Sequence, residues 1–147
     1  MELNGRYVLC APPETVWAAL HNTELLTLCI SGCKAIRWLS DNTLEAEIEL
    51  RAGSAHRTYK GEVRIADQRP PSHYRLLFGE SGESSSVVTD IELIPKAQDT
   101  RLSYHVDANL DGYLARLGAP VVRVIARRIA NSFFKRLNAE LAGAHAT

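Results

Sequence analysis

The chain has three cysteines and five histidines, whose side chains can bind a metal or act as a nucleophile or general base. Cys29 and Cys33 stand four residues apart, and thiolates at short spacing suit zinc, but two ligands are too few for a structural tetrahedral site. His21 is the only histidine near them in sequence. We therefore expect no metal, and we expect Cys10, Cys29 and Cys33 to be reduced thiols, the last two packing a turn.

The histidines are scattered along the chain, at positions 21, 56, 73, 105 and 145. There is no Gly-x-Ser-x-Gly elbow, no His-Glu-x-x-His pair and no phosphate-binding loop, so neither nucleophilic nor metal-assisted hydrolysis has a visible set of residues. His105 alternates with apolar neighbours and is expected to face solvent. We predict no catalytic residues and no cofactor.

Four tyrosines, Tyr7, Tyr59, Tyr74 and Tyr104, fall at positions that the strand pattern directs inward. A phenol in an apolar setting can hold the carbonyl of a ligand by a hydrogen bond. It can also act as an acid in proton transfer, as in a cyclase. The residues alone leave both interpretations open.

The elements that must position these side chains begin with strands. Between residues 34 and 110, apolar and polar residues alternate, which is typical of strands with one dry and one wet face. The alternation is clearest in segments 44–51 and 102–110, and it predicts further strands at 34–40, 57–66, 73–79 and 86–94. With a first strand at 3–10, the chain is predicted to form a seven-stranded antiparallel sheet.

Helices are predicted on either side of this strand-rich region. Pro12 and Pro13 stop the first strand and suit the first turn of a helix that runs to about Leu20, and a second short helix follows over 23–28. After residue 112 the period returns to 3.6, and Pro120 either bends the last helix or marks its first turn. Its apolar stripe comprises Leu114, Leu117, Val121, Ile125, Ile129, Phe133, Leu137 and Leu141.

A final helix of this length spans roughly 40 Å, which one flat small sheet cannot cover. The sheet must therefore curl around it. We predict an α+β fold over residues 1–147, a single domain in which a curved sheet grips the long helix and two short helices follow the first strand. The enclosed space is expected to be an apolar pocket with a few polar groups, as in most small-molecule sites. The alternative is a filled core without a cavity.

The pocket prediction names nine lining residues from the short helices, the strands and the last helix. They are Leu25, Leu28, Tyr59, Phe78, Ile91, Tyr104, Leu117, Val121 and Ile125.

Charge limits the choice of partner. The chain has 17 Lys+Arg and 17 Asp+Glu, and this zero net charge argues against a nucleic acid partner. The last helix is basic, and this face could meet anionic lipid headgroups or an acidic protein, or simply be solvated. Its basic residues are Arg116, Arg123, Arg127, Arg128, Lys135 and Arg136. The chain shows neither a basic start followed by an apolar run nor a long uncharged apolar segment. We therefore expect a cytoplasmic protein and leave open a peripheral contact at the inner face of the membrane.

Several local strings resemble the CoxG family, named for the G subunit of carbon monoxide dehydrogenase, within the START-like (SRPBCC) helix-grip superfamily. They are Ala-Pro-Pro-Glu-Thr-Val-Trp at 11–17, Cys-Ile-Ser-Gly-Cys at 29–33, Tyr-Lys-Gly at 59–61, Thr-Arg-Leu-Ser-Tyr at 100–104, Leu-Ala-Arg-Leu-Gly at 114–118 and Phe-Phe-Lys-Arg-Leu at 133–137. The resemblance covers nearly the whole chain. Ser31 stands where the family usually has proline.

The resemblance implies a non-catalytic accessory protein of molybdenum-containing carbon monoxide dehydrogenases or related hydroxylases. Such a protein would hold a lipophilic ligand, such as a quinone, and link the redox enzyme to the membrane. Two alternatives remain. One is an enzyme of the polyketide cyclase or aromatase kind that uses the same pocket. The other is a pure interaction module that recruits a partner through the helix face or the 79–86 loop.

Overall fold

A computed structural model describes residues 1–52, 55–79, 87–109, 116 and 118–145, with backbone alone at positions 50–52, 55–57, 59, 79, 144 and 145. The strands are β1 (Glu2–Leu9), β2 (Cys33–Trp38), β3 (Thr43–Ala52), β4 (Ala55–Arg69), β5 (His73–Gly79), β6 (Val87–Lys96) and β7 (Asp99–Ala108). The helices are α1 (Pro13–Leu20), α2 (Thr23–Cys29) and α3 (Ala119–His145).

The seven strands form one antiparallel sheet in the order β1-β7-β6-β5-β4-β3-β2, which confirms the predicted fold class. Strands β2 to β7 each pair with the strand next in sequence. β1 pairs with β7, so β1 and β2 are the two edge strands of the sheet. The alternation of side chains keeps the apolar residues on one side, which we call the inner face. Its fully buried members include Leu9, Leu93 and Leu102.

The short helices begin where the local sequence predicts. Pro13 is the first residue of α1, where its missing N–H is not needed, and Glu14 adds a negative charge to the first turn. The side chain of Asn22 caps α2 by accepting hydrogen bonds from the backbone N–H groups of Glu24 and Leu25, at 3.1 and 3.2 Å. These starts direct the apolar side of both helices toward the sheet.

A buried hydrogen bond ties the entrance of α1 to β7, the strand next to the β1 edge of the sheet. The hydroxyl of Thr100 on β7, which is fully buried, donates to the carbonyl oxygen of Ala11 at 2.7 Å. A buried carbonyl left without a partner would cost about 1–3 kcal/mol. The contact therefore holds α1 over the end of β6 and β7.

The long helix α3 starts at Ala119, so Pro120 lies in its first turn rather than at a bend. Its C-terminal half packs into the core through Phe134, Leu137 and Leu141. In the N-terminal half, Ala126 and Ala130 pack against the core, whereas Val121 and Ile125 keep 46% and 45% of their surface exposed. The predicted apolar stripe is thus buried only in its later members, and its first two, at positions 114 and 117, lie outside the described residues.

The reason for this division is the spacing of the stripe. At 3.6 residues per turn, a step of four residues advances the side chain by about 40° around the helix. Residues that repeat every four positions therefore drift away from the face of Leu137. Four such steps, back to Val121, turn the side chain by about 160°.

Candidate ligand-binding site

Four residues form a row across the inner face of the sheet. Tyr104 on β7 pairs with Gly5 on β1 and with Ile91 on β6, and Ile91 pairs in turn with Tyr74 on β5. The three larger side chains are buried. The antiparallel register thus brings two of the predicted lining residues, Ile91 and Tyr104, side by side and places a second phenol within the same row.

Gly5 leaves space for the ring of Tyr104. A Cβ atom at position 5 would overlap Cε1, Cζ and the hydroxyl oxygen of Tyr104. The overlap is far inside van der Waals contact, so no other residue fits without moving the ring. Glycine within a strand often marks such a close approach. The interrupted alternation at Gly5 was the sequence signal for this contact, and it was missed.

A cluster of aromatic rings surrounds this point; we call Tyr7, Tyr104, Phe134 and Asn131 the tyrosine cluster. The ring of Tyr7 stacks on Phe134 with centroids 4.4 Å apart, and it lies nearly parallel to Tyr104 with centroids 6.2 Å apart. The Tyr7 hydroxyl donates a hydrogen bond to Oδ1 of Asn131 on α3. The cluster therefore joins both strands of the β1–β7 pair to the middle of the long helix.

The electrostatic setting of the Tyr7 phenol is mixed. Desolvation raises the pKa of Tyr7, and the neighbouring Tyr104, which also hydrogen-bonds it, raises it further. The positive charge of Arg127 acts in the opposite direction. Tyr7 therefore stays protonated at neutral pH and can serve as a hydrogen-bond donor.

A second polar group on the inner side is His21, at the end of α1. Its Nδ1 lies 2.7 Å from the carbonyl oxygen of Trp17, to which it donates a hydrogen bond. The Nε2 atom of His21 is buried without a hydrogen-bond partner. The His21 ring contacts those of Trp17 and Tyr74, with centroids 4.6 and 5.1 Å away, and these two rings also contact each other.

The cysteines show no sign of a metal centre. All three are free thiols, and burial raises the pKa of Cys29, which is inaccessible to solvent. The thiol of Cys33 donates to the carbonyl oxygen of Ala35 at 3.7 Å. Within the part of the chain that the structure describes, no group of three His, Cys, Asp or Glu side chains could hold a metal ion.

The outer face of the sheet has the opposite character. A depression of about 590 Å³ lies there, lined mainly by polar and charged residues of β1, β5, β6 and β7. Cross-strand ion pairs run beside it, such as Arg75 Nε to Asp90 Oδ1 at 2.9 Å. An apolar ligand would gain little from this surface, so the inner face is the better candidate.

The family of the chain follows from its sequence as a whole. The model of the CoxG family, described by its role as the G subunit of carbon monoxide dehydrogenase, matches residues 5–142. The chain belongs to the CoxG family. Membership places it among the accessory proteins of the carbon monoxide dehydrogenase system, a family that is generally non-catalytic. The family predicted from the local strings is thereby confirmed.

Several solved structures share the fold of this CoxG family member. A conserved protein from Geobacillus kaustophilus superposes with a TM-score of 0.86 at 27% identity, over 98% of this chain and 97% of that one. A START superfamily protein from Mycobacterium smegmatis gives 0.78 at 11% identity, over 97% and 98%. The protein Ara h 8.0201 gives 0.73 at 15%, over 97% and 98%. No curated protein matches the chain in sequence.

The lining residues predicted for this CoxG family member fall into distinct settings. Ile91 and Tyr104 are buried neighbours, and Leu25 packs against the same core while remaining partly exposed. Phe78 lies on β5 beyond Tyr74, on the same inner face, where it pairs with Val63 and Val87. It is also partly exposed. These four are brought to one side of the sheet.

The other five predicted residues are less enclosed or not described. Leu28 is 60% exposed, and Val121 and Ile125 lie on the half-exposed part of α3. The backbone of Tyr59 pairs with Ile48, which puts its position on the inner face, but its side chain lies outside the described residues. Position 117 is outside them altogether. The roles of all nine in a pocket stay predictions.

The described helices carry no membrane span. In the ranges given above, none of them combines the length and the apolarity that crossing a bilayer requires.

Proposed function

We propose that this CoxG family member binds a lipophilic small molecule, such as a quinone, between the inner face of the sheet and α3. The ligand would serve a molybdenum-containing redox enzyme. A cytoplasmic location, with peripheral contact at the inner face of the membrane, belongs to the same proposal. The protein itself would carry no catalytic residues and no cofactor.

The observation that carries the proposal is an apolar surface that the helices leave partly uncovered. Val63, Leu76, Phe78 and Val106 belong to the inner face, yet each is only partly buried, in contrast to the closed core beneath α1 and the end of α3. Register makes Val63 and Phe78 direct neighbours. Contiguous apolar surface of this kind often marks a ligand-binding groove.

The first test is native mass spectrometry of the protein purified from its own host, followed by solvent extraction of whatever is bound. We expect a lipid or isoprenoid quinone in stoichiometric amount. A ligand that binds only the folded protein also raises the melting temperature by mass action. Nothing bound, together with no thermal shift on adding quinones, would contradict the proposal and favour the interaction module.

A matched pair of variants locates the site. Phe78→Ala removes an aromatic side chain from the inner face and should weaken quinone binding by about tenfold or more, because burying such a side chain contributes about 1.5–3 kcal/mol. Val8→Ala removes apolar surface from the outer face of the sheet, where Val8 is 48% exposed, and should leave binding unchanged. Equal affinities for both variants would exclude the inner face as the site.

The second candidate is a cyclase-type enzyme in the same space. The hydrogen-bonded phenols of Tyr7 and Tyr104 favour it, because a protonated phenol on an apolar face can act as a general acid. Turnover of a polyketide-like substrate that is lost in Tyr104→Phe would support the enzyme. Ligand binding without turnover in wild type would support the carrier.

A further inference from the structure

We propose that the tyrosine cluster together with Arg127 holds the head of the bound lipophile, and that this head is an oxygen group that accepts hydrogen bonds. The inference rests on the proposed function and deepens it, since it states the orientation and the chemical class of the ligand. A neutral quinone carbonyl and a fatty-acid carboxylate share this chemistry, and the experiment below separates them.

The phenol protons of the tyrosine cluster are engaged within the cluster. A phenol has one proton to donate, and Tyr7 donates it to Oδ1 of Asn131. Tyr104 is engaged with the same Tyr7 hydroxyl. The donor that the cluster still offers to a ligand is the amide NH₂ group of Asn131, since the Asn131 oxygen can only accept. Asn131 is exposed, so a ligand oxygen would take the place of solvent at this NH₂ group.

Arg127 extends the same donor surface. Arg127, Asn131 and Phe134 are spaced by four and three residues, so they lie along one side of α3, the side that contacts Tyr7. The Arg127 side chain is exposed, and no ion-pair partner for it exists among the described residues. A guanidinium has five N–H donors and no acceptor, and it suits carboxylate and carbonyl oxygens.

The inner face beyond the cluster is mainly apolar. From Tyr104 the face continues through Ile91, Val106 and Phe78, whose side chains have no polar atoms, and Thr89, which pairs with Val106, is buried. A ligand with a polar head and an apolar tail would therefore place the head at Arg127 and Asn131 and the tail over these residues. Burying the tail drives binding, while the donors at one end select its direction.

The test uses three probes that share a ten-carbon tail: decanoic acid, decylubiquinone and 1-decanol, titrated by calorimetry. Arg127→Leu keeps the apolar stem but removes the charge and the donors. We expect it to lower the affinity for decanoate about ten- to a hundredfold, the usual cost of losing a hydrogen bond to a charged group. The affinity for decanol should change less than about twofold, since its hydroxyl needs no cation.

Three further variants control this result. Arg128→Leu removes the neighbouring charge, about 100° around the helix, and should leave all three affinities unchanged. Asn131→Asp keeps an acceptor for the Tyr7 proton but replaces the amide donor with a negative charge. It should weaken decanoate binding at least as much as Arg127→Leu. Arg127→Lys should restore part of the lost affinity, because it returns the charge without the planar fork.

The outcomes distinguish a carboxylate head from a carbonyl head. They also show whether the head site or the proposed ligand binding itself has failed. A loss confined to decanoate identifies a carboxylate head, and a loss that includes decylubiquinone identifies a carbonyl head. If the probes bind wild type, Arg127→Leu and Arg128→Leu equally, the inference is wrong while the proposed function stands. If wild type binds none of the three probes, the proposed function fails and the head site fails with it.

Discussion

At the scale of single residues, Gly5 and Tyr104 illustrate how a missing side chain can position a large one. The phenol ring of Tyr104 occupies the space that a Cβ atom at position 5 would fill. Its hydroxyl then comes within reach of Tyr7, on the next inward position of β1. One glycine thus sets the geometry of the candidate head site.

Substitution of this glycine gives a direct prediction. Gly5→Ala should lower the free energy of unfolding by about 1–3 kcal/mol, because overpacking forces the Tyr104 ring to move. It should also weaken ligand binding. Urea denaturation and calorimetry would measure the two effects.

Gly143 provides the matched control for Gly5. It lies in α3 with no atom near its missing Cβ, so Gly143→Ala should raise stability by about 0.5–1 kcal/mol through helix propensity. A second check is Gly5→Ala combined with Tyr104→Ala, in which the added methyl group meets no ring. If the penalty at position 5 persists in that background, the ring contact is not its cause.

At the scale of elements, α3 has two halves with different roles. The C-terminal half supplies Phe134, Leu137 and Leu141 to the core, and Asn138 there accepts a hydrogen bond from the backbone N–H of Cys10 at 2.9 Å. The N-terminal half leaves Val124 and its apolar neighbours exposed. The exposed side of the N-terminal half is thus available for function, while Ala126, Ala130 and the C-terminal half hold the helix to the core.

This division predicts unequal effects of truncating side chains. Leu137→Ala should cost about 2–5 kcal/mol, because Leu137 is fully buried and its removal leaves a cavity. Val124→Ala should change stability by no more than about 0.5 kcal/mol. Chemical denaturation of both variants checks this, and a large loss in Val124→Ala would mean that the N-terminal half is also packed.

At the scale of the whole molecule, the burial of Tyr74 links the fold to pH. Tyr74 on β5 is 3% exposed and lies against Trp17 and His21 from the region of α1. Desolvation raises the pKa of its phenol well above the ordinary value of 10.0. The folded protein therefore keeps this proton under conditions in which the unfolded chain releases it.

The sign of the resulting pH dependence follows from proton binding. Below about pH 10 both states hold the proton, and the contribution of Tyr74 to stability is fully present. As the pH rises above about 10 toward the folded-state pKa, the unfolded chain ionises first and stability falls, by at most about 1.4 kcal/mol per pH unit. Tyr74→Phe should reduce this alkaline loss. Urea unfolding at about pH 8 and about pH 11 measures it, and an unchanged loss would contradict the assignment.

The sequence by itself determined the faces of the elements, their order and the family. Period-two alternation in β3 and β7 distinguishes inner from outer side chains, because successive residues of a strand point to opposite sides. Pro12 and Pro13 mark the start of α1 for an equally local reason. The seven-stranded sheet, the two short helices and the long last helix could therefore be predicted without coordinates.

Only the tertiary structure decided which side chains meet. Tyr7 and Asn131 are 124 residues apart, and nothing in either local pattern shows that one donates a hydrogen bond to the other. The contact of Gly5 with Tyr104 depends on the register between β1 and β7. The exposure of Val121 depends on where α3 leaves the sheet. Periodicity assigns a residue to a face, but partners on that face are set by strand register and helix placement, which long-range packing determines.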